Sequence, residues 1–188
     1  MKAKRVLSSD GLPLTYYRAG TGDDCLVIAN APGMSIRFWA PVIAELSRAF
    51  TVIGFEYRGY PDAAAALSAD ELAFDNFISD LRLILRAEGV ATAHLVSWCF
   101  GAKLTWEYQR RYPDEVASLM AFGMAFTNSD QPDSQFSKAL SGIRERIEAN
   151  PGSTTSMITM MKRMGMVPDQ AFFATIFKEN EDGPVLSL

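Results

Sequence analysis

The most chemically suggestive spacing in the chain lies at residues 94–103, His-Leu-Val-Ser-Trp-Cys-Phe-Gly-Ala-Lys. A short apolar run leads into Cys99, which has a small residue two positions away on each side, Ser97 and Gly101. A small–x–nucleophile–x–Gly pattern between a buried strand and a helix suits a very sharp reversal. Bulky side chains two positions from the centre would collide with the adjoining strand and helix. The central residue is then held strained and exposed above the C-terminal edge of a sheet, where α/β proteins bind ligands. The N-terminus of the following helix adds unpaired N–H groups and a positive dipole end, which favour a thiolate and a developing oxyanion. A free thiol has a pKa of about 8.5, so part of it is already thiolate near neutrality. Cys99 is therefore the candidate nucleophile.

A base for Cys99 is harder to find. His94 is the only histidine. On an extended strand, five residues at about 3.3 Å each put it some 16 Å away, whereas general-base work needs about 3 Å or one bridging water. His94 is expected to pack near the far end of the sheet.

The elements that must position Cys99 alternate. Leu14–Arg18 follows the turn signal SDGLP and reads as a strand. Cys25–Ala29 and Thr51–Phe55 are continuous apolar runs of the kind buried on both faces. Arg37–Phe50 carries apolar residues at helical spacing, with Pro41 tolerable near its first turns. Residues 70–88 place Leu72, Phe77, Leu81 and Leu85 on one stripe, a long amphipathic helix that Gly89 closes. His94–Val96 is the next strand, Ala102–Tyr112 the next helix and Ala117–Phe122 a further strand. Strand and helix in alternation predict an α/β fold, a mostly parallel sheet with helices on both faces. After residue 126 the pattern changes to a polar loop, TNSDQPDSQ, then helical segments at about 134–149, 153–165 and 168–179. Met157, Met160, Met161, Met164 and Met166 make this region methionine-rich, suited to a helical core or to a pliable apolar surface over a ligand.

Composition narrows the function classes. A chain of 188 residues with 48% apolar and 21% charged residues is long enough for a sizeable core. A net charge of −4 gives no basic field for nucleic acid or anionic lipid. Two cysteines and one histidine, without metal-type spacing, call for no disulfide framework, metal or other cofactor. The N-terminal residues lack the apolar stretch of a secretory signal, and no run reaches the roughly 20 apolar residues of a membrane span. A cytoplasmic location with reduced thiols is the expectation.

Four motifs carry a family resemblance. Ser97-Trp98-Cys99-Phe100-Gly101 resembles the nucleophile elbow of the α/β-hydrolase superfamily, usually Gly-x-Ser-x-Gly. Asn30-Ala31-Pro32-Gly33 resembles its oxyanion loop, Glu56-Tyr57-Arg58-Gly59-Tyr60 its Asp-x-Arg-Gly-x-Gly loop, and Arg111–Val116 its Tyr-Pro-x-x-Val segment. The resemblance implies an α/β-hydrolase core over residues 1–126, with about six strands, and a helical cap over 127–188. A Cys nucleophile, as in dienelactone hydrolases and polyhydroxyalkanoate synthases, would attack the carbonyl of an ester or thioester. Catalysis by Cys99 is implied, with the backbone N–H groups of Ala31 and Phe100 as oxyanion donors. If Pro32 takes the family's proline position, Ala31 is the donor. Sliding the frame by one puts Pro32 there with no N–H to give, at a cost of roughly 2.7–4 kcal/mol of transition-state stabilisation. The first frame is favoured on that ground.

The family's acid usually follows its seventh strand and its histidine the eighth. No strand is legible after 126 beyond a hint at Pro184–Leu188, so the sequence is expected to hold the first two-thirds of such a domain, its C-terminal strands missing. Asp130 stands near a rarer position for the acid, although a loop Asp is more often a turn former or helix cap. An edge after the sixth strand invites self-association or a complementary chain. The expected activity is acyl hydrolysis or acyl transfer on a small-molecule substrate with an apolar acyl group. The alternative is a catalytically silent or incomplete homologue that binds a ligand or partner.

Overall fold

A computed structural model describes residues 1–31, 35–59, 67, 68 and 70–124, together with five isolated positions further on, 135, 138, 142, 145 and 149. The chain divides into two units, Met1–Met124 and Ala125–Leu188. In the second unit the five described positions are helical and fall inside the expected 134–149 helix. The segments 153–165 and 168–179, the methionines from Met157 onward, Asp130 and Pro184–Leu188 lie outside the described residues.

The first unit is a six-stranded sheet: β1 (Lys2–Leu7), β2 (Pro13–Ala19), β3 (Cys25–Ala29), β4 (Thr51–Phe55), β5 (Ala93–Trp98) and β6 (Val116–Phe122). The strands lie in the order β1-β2-β4-β3-β5-β6. β1 and β2 pair antiparallel, as do β2 and β4, while β4, β3, β5 and β6 run parallel. The expected runs Cys25–Ala29 and Thr51–Phe55 are the central strands β3 and β4, and every residue of both is buried. Successive side chains point to opposite faces. Val27 and Ala29 join one core with Phe77, Leu81, Ile84 and Leu104. Leu26 and Ile28 join a second core with Ile36 and Ile43.

Helices cover both faces: α1 (Ala40–Leu46) on one, α2 (Phe74–Ala87) and α3 (Phe100–Arg111) on the other. Where one helix was expected over Arg37–Phe50, a 3-10 turn at Ile36–Trp39 precedes the shorter α1, whose first turn holds Pro41. Proline lacks the N–H of a helix interior and settles at its start. Gly89, at φ 69°, closes α2 as expected. The Gly89 N–H donates to the Arg86 carbonyl (3.0 Å) and that of Val90 to Leu85 (2.9 Å), so both late carbonyls are satisfied. β1 has no counterpart in the sequence reading. Its KAKRVL sequence has no apolar run, and only Val6 packs on the core.

Two buried charge clusters tie the layers together. Arg58, three residues past the end of β4, is 1% exposed and makes two 2.8 Å bonds to the Asp80 carboxylate on α2. It also donates to Asp10 in the β1–β2 turn (2.8 Å) and to the Glu71 carbonyl (2.7 Å). At the other end of α2, Glu88 accepts from Lys4 Nζ (2.6 Å) and the Tyr16 hydroxyl (2.5 Å). Burial alone would raise the Glu88 carboxyl, but those hydrogen bonds and the charges of Lys4 and Arg18 outweigh it and hold it below 4.5.

Replacing Arg58 with Met is expected to cost about 3–5 kcal/mol in chemical denaturation, since Asp80 keeps its buried charge without a partner. Ionised Glu88 stabilises the fold fully above about pH 4.5, and the contribution disappears as pH falls through its lowered value. Urea midpoints measured against pH should therefore drop less steeply on the acid side in Glu88→Gln than in the parent.

Candidate active site

Cys99 occupies the reversal between β5 and α3 with φ 56° and ψ −121°. Among the described residues it is the only non-glycine at positive φ. Such a conformation costs of order 1–3 kcal/mol and persists only where its surroundings over-determine it. Those surroundings are visible. The Cys99 N–H donates to the Phe122 carbonyl of β6 (2.9 Å), and the Cys99 carbonyl accepts from the Ala102 N–H (3.0 Å). Behind the turn, α3 comes so close to β3 that a Cβ built on Gly101 would lie 2.2 Å from the Ala29 carbonyl oxygen and 2.6 Å from that of Asn30. Only glycine fits there.

Ser97, where the family pattern has its first glycine, is fully buried. Its hydroxyl donates to the Met120 carbonyl (3.2 Å), and the Thr105 hydroxyl of α3 lies 2.7 Å from it. A small polar side chain is thus accommodated by becoming a link between β5, α3 and β6.

Cys99 is partly exposed, whereas Cys25 is buried. Burial is the main cause that pushes the Cys25 thiol up to about 11, out of reach of ionisation near neutrality. No side chain caps the N-terminus of α3, and the first N–H groups of a helix have no acceptor within it. Phe100 opens this helix, its ring set edge-on to Tyr57, Phe74 and Phe77 with centroids 5.9, 5.6 and 5.7 Å away.

Ala31 follows β3 and is partly buried. The chain around it is gripped from the segment after β4. The Tyr57 hydroxyl donates to the Asn30 carbonyl (2.6 Å). Glu56 accepts from the Ser35 hydroxyl (3.1 Å) and from the Ile36 N–H (3.2 Å to each oxygen). Ile36 in turn packs over Gly54, where an added Cβ would lie 2.4 Å from Ile36 Cγ1. Glu56 and Tyr57 were read from sequence only as parts of a motif. Their signal is that both are polar yet stand next to a fully apolar strand, which demands partners.

His94 is the second residue of β5 and sits at the opposite end of that strand from Cys99, as expected. Its Nδ1 lies 2.8 Å from the Ser118 hydroxyl, and its ring is 6.4 Å from that of Phe50. Among the described residues no cluster of His, Cys, Asp and Glu suits a metal ion, and no helix is long and apolar enough to cross a membrane.

Residues 25–161 match the alpha/beta hydrolase fold family. This chain belongs to that family. Epoxide hydrolase 3 of Mus musculus is 29% identical over 115 residues, which cover 61% of this chain and 31% of the mouse protein. The AB hydrolase superfamily protein YclE of Bacillus subtilis is 25% identical over 134 residues, 70% of this chain and 45% of its own length. The chain thus spans less than half the length of either relative. Among solved structures, a mutant epoxide hydrolase from Bacillus megaterium, bound to its product, covers 98% of this chain and 69% of its own, with TM-score 0.71 and 21% identity. An epoxide hydrolase from Vigna radiata matches 75% of this chain and 47% of its own, with TM-score 0.63 and 20% identity. These structural likenesses are ones of fold.

The strain at Cys99 yields a direct test. Cys99→Gly is expected to raise unfolding free energy by about 1 kcal/mol, the relieved strain exceeding the entropy that glycine loses on folding. Denaturant titration of the two proteins measures it.

Proposed function

We propose that Cys99 is the nucleophile of an acyl hydrolase or acyltransferase that acts on an ester or thioester. The observation that carries this reading is the backbone of Cys99, a non-glycine residue held at φ 56° where the chain turns from β5 into α3. Nothing about packing demands a cysteine there, since the side chain is partly exposed and the strain would vanish with glycine. The thiolate attacks the carbonyl carbon, the C=O electron pair moves to oxygen, and the N–H groups of Phe100 and Ala31 hold that oxyanion. Collapse expels an alkoxide or thiolate with the electron pair of its bond, which takes a proton from water, and leaves an acyl thioester on Cys99. Water, an amine or an alcohol then takes the acyl group. Residues 127–188 are proposed as a helical cap region.

The relatives named as epoxide hydrolases act on another electrophile. A thiolate at the same turn adds readily to the carbonyl of an activated ester or thioester, and the acyl thioester it forms is itself a good acyl donor. A second reading, a silent homologue that binds a ligand or partner, is favoured by one observation. The only histidine of the chain lies at the wrong end of β5.

Labelling separates the two. A small electrophile at near-neutral pH is expected to modify Cys99 selectively over the buried Cys25, at a rate above that of free cysteine, as peptide mass mapping will show. Cys99→Ser is expected to lower any turnover of thioesters by at least about a hundredfold, since a hydroxyl without an adjacent imidazole is a poor nucleophile. Turnover that survives this exchange would overturn the covalent reading.

A further inference from the structure

Tyr57 stands between the two backbone groups that the proposed chemistry needs, though it belongs to neither. Its hydroxyl bonds the Asn30 carbonyl at 2.6 Å, and its ring abuts that of Phe100 with centroids 5.9 Å apart. We infer that Tyr57 is a positioning residue for the oxyanion site: its grip on the Asn30 carbonyl sets the Asn30–Ala31 peptide so that the Ala31 N–H faces an acyl oxygen held above Cys99. This inference rests on the reading of Cys99 as nucleophile.

The Asn30–Ala31 peptide bond links the two groups. Its atoms are coplanar and trans, so the carbonyl of Asn30 and the N–H of Ala31 point in opposite directions. Fixing one fixes the other. The carbonyl is turned inward, toward a hydroxyl whose residue is 4% exposed and belongs to the core. It has room to lie there because Gly101 carries no side chain, a Cβ at that position falling 2.6 Å from the Asn30 oxygen. The Ala31 N–H therefore points away from the core.

Tyr57 is itself held firmly enough to act this way. Its ring meets Phe55 and Phe77 edge-on, with centroids 5.4 and 5.5 Å away, besides Phe100. Burial, and after it the charge of Cys99, keeps the phenol well above its ordinary range, so the hydroxyl remains a donor. The other end of the same loop is fastened separately, by Glu56 to the Ser35 hydroxyl and the Ile36 N–H. Removing the Tyr57 hydroxyl therefore frees one peptide plane and leaves the loop attached. Phenylalanine keeps every ring contact, so Tyr57→Phe is expected to fold.

Two reactions of Cys99 separate positioning from general damage. Acylation by p-nitrophenyl acetate passes through a tetrahedral oxyanion: sulfur bonds to the carbonyl carbon, and p-nitrophenolate leaves with the electron pair of its C–O bond. Alkylation by iodoacetamide is a displacement at saturated carbon, in which iodide leaves and no oxyanion forms. Both are followed on the full chain by product release and by mass at Cys99. In Tyr57→Phe, acylation is expected to fall by roughly tenfold or more, short of the hundred- to thousandfold that follows outright loss of an oxyanion donor, while alkylation keeps its rate. Equal rates of acylation in parent and variant, or a matching fall in both reactions, would overturn the positioning role. Failure of the parent to acetylate at Cys99 would instead remove the nucleophile reading, and the positioning role with it.

Discussion

The closeness of α3 to β3 governs the architecture of the site. With no side chain on Gly101, the helix lies directly against the carbonyl oxygens of Ala29 and Asn30. That single approach brings the start of α3, the turn holding Cys99 and the loop leaving β3 into one place. It also explains why the turn must be so tight. The chain leaves β5 at Trp98 and is already helical at Phe100, so one residue performs the whole change of direction. Its hydrogen bonds to Phe122 and Ala102 hold a conformation that the residue would not adopt alone.

Immediately after β4 come three consecutive polar or charged residues, each buried, and each serves a different part of the molecule. Glu56 fastens the start of the 3-10 turn, Tyr57 the exit of β3, and Arg58 joins α2 to the β1–β2 turn. Burying such groups is costly unless every one is paired. An apolar core of equal volume would stabilise as well, but it would not dictate which loop sits where. Directional bonds do. The face around Cys99 is thus specified by a short polar stretch that makes no claim to chemistry of its own.

Much of this was legible in the residues. Cys25–Ala29 and Thr51–Phe55 appear with the boundaries expected of them, because a strand buried on both faces reads as a nearly continuous apolar run. The turn at Cys99 was legible for the same kind of reason, since only small neighbours permit it. β1 was not, because an edge strand with one covered face needs few apolar residues and Lys2–Leu7 supplies few. The 3-10 turn at Ile36–Trp39 was hidden by an apolar spacing that fits a helix, and its cause lies elsewhere in the chain, in Glu56. The bond from Tyr57 to Asn30 spans 27 residues, and no local pattern encodes a partner at that distance.

The loop from Asn30 to Ile36 rests over two positions where matter is missing. One hollow lies at Gly101 on α3, the other at Gly54 in β4 beneath Ile36. What is handed down in such a fold is a shape left empty, in the way a mould fixes a casting. Neither glycine can drift alone, and neither can the bulk of residue 36. A methyl group added to β4 at position 54 would push Ile36 away from the sheet. Exchange at these sites has to be concerted, a smaller residue at 36 arriving with a larger one at 54, so that the hollow and what fills it are kept as a pair.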